Sequence, residues 1–254
     1  MRVHLDRIKY FGLRKIYYLL SDCTSSILDT LCDHNIIYNS SNQSIIKRHM
    51  GRIINHTYGG DSGQNVELEN NFLGYGLLHY SIIRNIQPDT ILCVGSREGF
   101  IPALLASACK DNHKGHVHFV DAGYDKKTDK HHWSGIGYWK NNNLIKHFSK
   151  INVSKYITSH IMTTKEYYKN NKNRTYQYIY IDGDHSLEGV TLDYKLFWPQ
   201  LSKGGFMVFH DTTVKYTKDL GKFGVWKLWN KIGKSNAINF KLPLESGLGI
   251  KQKM

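Results

Sequence analysis

Residues 176–190 read YQYIYIDGDHSLEGV, an apolar run that stops at two aspartates and a histidine. Aromatic and β-branched residues in such a run suit a buried strand. Asp182, Asp184 and His185 resist burial, so the strand has to end at an open edge. From Ser186 the period changes. Leu187, Val190, Tyr194, Phe197 and Leu201 recur at helical spacing, with Ser186 as N-cap and Glu188 in the first turn. GGFMVFHDTT (204–213) then repeats the arrangement: Gly204–Gly205, an apolar run over 206–209, then His210 and Asp211. Two strands that each stop at an acid and an imidazole suggest one shared site.

Working outward, the same alternation continues in both directions. TILCV (90–94) is a short strand, followed by GSREG and a helix near 100–110 with Pro102 in its first turn. Phe100, Ala103, Leu104 and Ser107 share one face of that helix. HVHFV (116–120) is a second strand ending at Asp121, and YITSHIM (156–162) a third, with a short helix from TKEYY. A helical stripe of Leu73, Leu77, Tyr80 and Ile83 precedes the first strand. A basic helix around 224–231 and a closing hairpin in INFKLPLESGLGIKQK follow the last. Strand–helix alternation of this kind specifies an α/β protein with a parallel sheet covered on both faces. The alternating part spans 72–254, and residues 1–71 read as a helical and irregular N-terminal extension.

At 254 residues the chain is long enough for a sizeable core, and 41% apolar with 22% charged residues is ordinary for a soluble protein. No apolar run approaches the roughly 18–20 residues that span a bilayer, and no signal-peptide pattern opens the chain. The four cysteines, Cys23, Cys32, Cys93 and Cys109, have no CxxC spacing, which argues against a disulfide framework or zinc site and for a reducing, cytoplasmic setting. Lys and Arg number 34 against 21 Asp and Glu, a net charge of +13. That excess suits an anionic partner, whether nucleic acid, acidic lipid or acidic glycan, and equally a well-solvated surface. RIKYFGLRKIYYLL (7–20) sets Tyr10, Leu13, Tyr17 and Leu20 on one face among basic residues. Such a helix either lies on a membrane, here the inner face of a cell membrane, or packs on its own domain or a subunit partner.

In an open parallel sheet, ligands bind beyond the carboxyl ends of the strands. Gly95-x-x-x-Gly99 after the first strand permits close approach to backbone N–H groups at a helix N-terminus. Asp121, ending the second strand, is placed to accept both hydroxyls of a ribose, or else forms a turn before AGYD. Together these point to a nucleoside-containing cofactor: NAD, a flavin or S-adenosylmethionine. If the strands ending at Asp182 and His210 are neighbours about 4.8 Å apart, their terminal side chains converge. Carboxylates and imidazole can then hold a divalent cation of the Mg²⁺, Ca²⁺ or Mn²⁺ type, while an unbound histidine takes a proton. Alternatively, Asp184 and Ser186 only cap the next helix and His210 is a core histidine.

The unbroken run IDGDHSLEGVTLDYKLFWPQLSKGGFMVFHD (181–211), with GVWKLWNKI (224–232) and GLGI (247–250), resembles the class I S-adenosylmethionine-dependent methyltransferases. It is most similar to the bacterial O-methyltransferase subgroup related to sugar and macrolide O-methyltransferases and cephalosporin hydroxylase-like proteins. The resemblance covers about residues 72–254 and implies a seven-stranded, mostly parallel Rossmann-like sheet closed by an antiparallel hairpin. It also implies that Gly95, Ser96 and Gly99 line the methionine end of the cofactor and that Asp121 binds its ribose. Thr163 or Thr164 would lie near the adenine, with Asp182 also against the cofactor. Asp182, His210 and Asp211 would hold Mg²⁺, and His185 would deprotonate an acceptor hydroxyl, with Asp182 orienting it. Cys93 stands where the family commonly has an acid, and Arg97 where it has a small residue. The implied reaction is O-methylation of a sugar or glycan, possible acceptors including acidic or lipid-linked surface polysaccharide, by a homo-oligomer. HHWSGIGYWK (131–140) is either a sugar-stacking lid or an aromatic loop packed on the core. Nucleic-acid methylation is the alternative that the charge favours, but the four prolines are isolated and no Asn/Asp-Pro-Pro-aromatic motif occurs. A cofactor-binding protein without catalysis is a further alternative. An NAD oxidoreductase fits worst, because the loop is not GxGxxG.

Overall fold

The buried apolar runs pair side by side because a run apolar on both faces has to be covered on both. In the computed structural model, which describes residues 74–124, 138–141, 144–149, 151–218, 221–241 and 246–254, five of them form parallel strands. These are β1 (Thr90–Val94), β2 (His116–Asp121), β3 (Ile157–Ile161), β4 (Tyr176–Ile181) and β5 (Leu201–His210). The closing hairpin supplies β8 (Ala237–Phe240) and β9 (Leu248–Gln252), giving a seven-stranded sheet in the order β3-β2-β1-β4-β5-β9-β8. Only β9 and β8 run antiparallel to their neighbours. A separate two-stranded hairpin, β6 (Tyr216–Thr217) with β7 (Gly221–Lys222), follows β5.

The helices are α1 (Gly76–Ile86), α2 (Phe100–Asn112), α3 (Tyr138–Asn141), α4 (Leu144–Ser149), α5 (Thr164–Asn170), α6 (Leu187–Phe197) and α7 (Val225–Ile232). Side-chain alternation along the strands sorts them into two layers. Leu92, Val94, Ile179, Ile181, Met207 and Phe209 pack with Tyr167 of α5, Val190 and Phe197 of α6, and Leu228 and Trp229 of α7. On the opposite face, Tyr178 and Tyr180 meet His79 of α1, and Phe119 meets Trp139 and Phe148. This is a Rossmann-like fold. Strand order reverses between β1 and β4, which opens the crevice at their carboxyl ends.

Three expected helical faces shift. In α1 the buried residues are Gly76, His79 and Ile83, whereas Tyr80 turns outward and donates to Asp111 Oδ2 at 2.6 Å. His79 is drawn inward by Tyr178, whose hydroxyl lies 2.5 Å from its Nδ1. In α6 the buried stripe is Val190, Asp193 and Phe197; Leu187 is exposed and Leu201 already belongs to β5. In α2, Phe100 through Ala106 are all buried, so the helix has no single apolar face. The fifth strand starts at Leu201, not 206. The register shifts between Tyr176↔Leu201 and Tyr178↔Phe206, and Gly204 at φ +77° takes up the extra residues.

All described residues fall in one unit, 50–254. The boundary expected at 71/72, the extension 1–71 and its helix 7–20 lie outside the described residues. Among the described residues no helix is long and apolar enough to cross a membrane.

Candidate active site

The first wall of the crevice is the turn after β1. Gly95 sits at φ +73°, its N–H donates to Val120 O at 2.8 Å, and Asp182 N–H donates to Val94 O at 2.8 Å. A Cβ on Gly95 would lie 2.1 Å from the Asp182 carbonyl oxygen, so only glycine lets this loop pass the end of β4. Gly99, at φ +96°, caps α2. A Cβ there would lie 2.8 Å from the Trp139 ring, whose Nε1 donates to Ser96 O at 2.9 Å. His147 Nε2 lies 3.0 Å from Glu98 O. The loop is therefore clamped from behind by α3 and α4. The buried Ser96 hydroxyl has no hydrogen-bond partner among the described residues.

Beyond β2 and β3 lies a cleft of about 530 Å³ lined by Ala122, Tyr124, Ile161, Met162, Thr163, Glu166 and Asn170. Asp121 directly precedes its lining residue Ala122, and Asp121 Oδ1 accepts from Gly123 N–H at 2.8 Å. Burial pushes the Asp121 carboxyl up to about 6, against the backbone donors of Gly123 and Ser96. Thr163 is the N-cap of α5 in a full capping box with Glu166, so its hydroxyl is engaged in capping.

The other wall is the cluster at the ends of β4 and β5. Asp182 Oδ1 lies 3.2 Å from His185 Nε2 and 3.0 Å from His210 Nδ1, and Asp182 Oδ2 accepts from Tyr180 OH at 3.0 Å. Asp211 Oδ2 lies 3.1 Å from His185 Nδ1 and 3.6 Å from His210 Nδ1. His185 thus separates two carboxylates. With 15% of its side chain accessible, against 6–10% for the other three, it is the member most open to a substrate. Burial works against the charge on Asp182, yet His210 and His185 hold its carboxyl well below the usual range. Burial likewise disfavours the His185 cation, but the hydrogen bonds its ring donates to Asp182 and Asp211 win and raise its proton affinity well above that of a free imidazole.

The glycine turn, the carboxylate at the end of the next strand and the acid–imidazole cluster all lie within residues 92–212, which match a methyltransferase-domain family model. The chain carries a methyltransferase domain. Its fold is similar to that of TomG, an O-methyltransferase from Streptomyces achromogenes involved in tomaymycin synthesis and solved in complex with SAM. The TM-score is 0.52 at 12% identity over 82% of this chain and 90% of that one. The O-methyltransferase from Bacillus cereus in complex with SAH gives 0.53 at 11% identity, covering 83% and 91%. The SAH-bound Podospora anserina methyltransferase PaMTH1 gives 0.51 at 15%, covering 85% and 98%. At these identities the likeness is one of fold. No curated protein sequence matches the chain.

Within the methyltransferase domain, Gly95, Ser96, Asp182, His185, His210 and Asp211 meet in one crevice, with Asp121 and Thr163 at the adjoining cleft. Gly99 turns its Cα hydrogens toward Trp139 and shapes the loop from behind. Among the described residues, those whose ligand atoms lie within 4.8 Å of one another are Asp182, His185 and Asp211, so His185 stands in the place expected for His210, which lies beside the group. Arg97 is exposed and Cys93 is buried in β1. Of the aromatic stretch 131–140, residues 131–137 lie outside the described residues, while Trp139 packs on the loop and on Phe119. Sequence reading missed Tyr180 and His79, and took Trp139 only as one member of the aromatic stretch 131–140. Only the alternation Tyr178–Tyr180–Asp182 along one face of β4 could have flagged Tyr180.

Proposed function

We propose that the methyltransferase domain transfers a methyl group from S-adenosylmethionine to a hydroxyl of a sugar or glycan. The observation that carries this reading is the contact of the two walls. The Gly95 turn lies against the Asp182 backbone, so a donor held on the turn would present its methyl group beside Asp182 and His185. Asp121 would accept the ribose hydroxyls, the cleft between β2 and β3 would take the adenine, and the unpartnered Ser96 hydroxyl would meet the methionine end. The donor is consistent with the SAM and SAH held by proteins of the same fold.

In the reaction the acceptor oxygen attacks the sulfonium methyl in line. The O–CH₃ bond forms, the S–CH₃ bond breaks with its electron pair going to sulfur, and S-adenosylhomocysteine leaves. The hydroxyl proton passes to His185, in whose neutral form the flanking carboxylates create a strong acceptor. Asp182, kept ionised and fixed through Oδ2 by Tyr180, orients that imidazole. The cluster offers two carboxylates and imidazole nitrogens within reach of one another, a donor set that fits a divalent cation. Asp182 and Asp211, with His185 or His210, would hold Mg²⁺, which when bound would make an acceptor hydroxyl more acidic.

Calorimetric titration with S-adenosylhomocysteine, with and without Mg²⁺ and with EDTA, tests the donor. Absence of binding at high micromolar concentration would sink the reading. Asp182→Ala should abolish methyl transfer while the circular dichroism spectrum stays native; retained turnover would refute the site.

A further inference from the structure

We infer that the acceptor carries a negative charge, as a phosphate or carboxylate beside the hydroxyl, and that Lys215 and Lys227 read it. The inference rests on the glycan reading above and names the acceptor class. The chain leaves Asp211 into the β6–β7 hairpin and returns directly over the cluster. Gly224 N–H donates to His185 O at 2.8 Å, and the Phe223 ring lies 5.2 Å from the His185 ring. Trp226 Nε1 donates to Phe223 O at 3.0 Å, which sets its indole one side chain further out. Two ammonium groups share that indole: Lys215 Nζ is 5.4 Å and Lys227 Nζ 5.5 Å from its centroid. The aromatic ring holds both cations in place, so little side-chain freedom remains to be lost when an anion docks. Lys215, Lys218, Lys222 and Lys227 are all exposed. None has a carboxylate within ion-pair distance among the described residues; the ion pairs found there are Lys114–Asp89 and those of the His185 and His210 cluster. Beside the hairpin that covers the cluster, the rim of the acceptor side thus presents exposed lysines, two of them held on one indole. A neutral sugar would leave it unused, whereas a charged glycan would be steered to the crevice and held there.

The test is calorimetric titration of the full chain, saturated with S-adenosylhomocysteine, at near-physiological salt. The probes are an oligo(glycerol phosphate), an oligogalacturonate, a neutral maltooligosaccharide and a short single-stranded RNA. One of the two anionic saccharide-type probes should bind at least about tenfold more tightly than the neutral one. Lys215→Gln/Lys227→Gln should cost roughly tenfold of that affinity and leave S-adenosylhomocysteine binding unchanged; Trp226→Leu should give part of the loss. The phosphate and carboxylate arms identify the charged group. Lys169→Gln/Lys172→Gln, before β4 at the far end of the sheet, is the control for bulk charge. An equal loss in that control, equal binding of the neutral probe, or tightest binding of RNA overturns the inference while the donor reading stands. Failure of S-adenosylhomocysteine to bind the wild-type chain overturns both.

Discussion

Asp193→Asn should stabilise the protein, and increasingly so as the pH rises. Asp193 lies on the buried face of α6, with 3% of its surface accessible. Its Oδ2 is 3.5 Å from where a Cβ on Gly183 would stand, directly beneath the turn that carries the cluster. Burial pushes its carboxyl from 3.8 up to about 7; a side-chain hydrogen bond from Thr164 opposes the rise and Asp184 adds to it. Between those two values the folded protein holds a proton that the unfolded chain has released. Stability therefore falls with pH across that window: the neutral acid's advantage is complete below about 4 and gone above about 7. A gap of about three pH units at about 1.4 kcal/mol each amounts to roughly 4 kcal/mol. Asparagine cannot ionise, so it avoids this loss and still accepts from Thr164. Urea denaturation of both proteins should show the variant gaining about 3 kcal/mol relative to wild type between pH 5 and 7, then levelling off. In a domain of this size that corresponds to about 6–12 °C in Tm. A stability difference that stays flat from pH 5 to 8 would show that Asp193 is not ionising in the core and would refute the reasoning.

Asp121→Asn should weaken S-adenosylhomocysteine binding by about 100-fold, since two hydrogen bonds to a charged group are lost. Because that carboxyl protonates at about 6, wild-type affinity should fall below pH 6 and the variant's should not, as calorimetry across pH 5–8 would show. Gly95→Ala should abolish cofactor binding and lower Tm: the left-handed backbone costs about 1–2 kcal/mol and the new methyl meets the Asp182 carbonyl. An unchanged Tm would contradict that packing. Trp139→Ala should cost about 3–5 kcal/mol in urea denaturation, and Trp139→Phe, which loses chiefly the bond to Ser96 O, about 1 kcal/mol. Equal costs would place the loop's support in the hydrogen bond and not in ring packing.

The parallel strands and their carboxyl ends were legible because a buried parallel sheet imposes a strong constraint. Its central strands are largely apolar, and the acids and imidazoles of the site appear where they leave the sheet. TILCV and YQYIYI accordingly begin and end where the composition changes. What the sequence concealed are polar groups buried by partners far along the chain. His79 and Asp193 are of residue types that ordinarily stay exposed, and nothing near them in sequence announces Tyr178 or Thr164. His79 is buried as a neutral ring, its proton affinity pushed down to about 3 by burial and then by His210. The role of Trp139 is likewise set by a distant partner, since its pairing with Gly99 bridges forty residues, past α2 and β2.

The division of labour between the two histidines follows from charge. Asp182 and Asp211 end adjacent strands, and two carboxylates so placed repel unless a hydrogen-bonding ring or a cation separates them. His185 occupies that position, in contact with both and linked to the hairpin through Gly224. His210, less accessible, braces Asp182 from within the sheet. The same separation suits proton transfer to His185 and the holding of a cation, because each needs two acids and an imidazole converging without collapsing onto one another. On the proposed reading, a partly accessible imidazole in front of two acids, with a rim of exposed lysines outside, would draw an anionic acceptor in. The acids would repel the acceptor's charge and leave its uncharged hydroxyl facing the donor. Position on the acceptor would thereby be selected by electrostatics as well as by shape, since only a hydroxyl set back from the charged group could reach His185 while Lys215 and Lys227 are engaged.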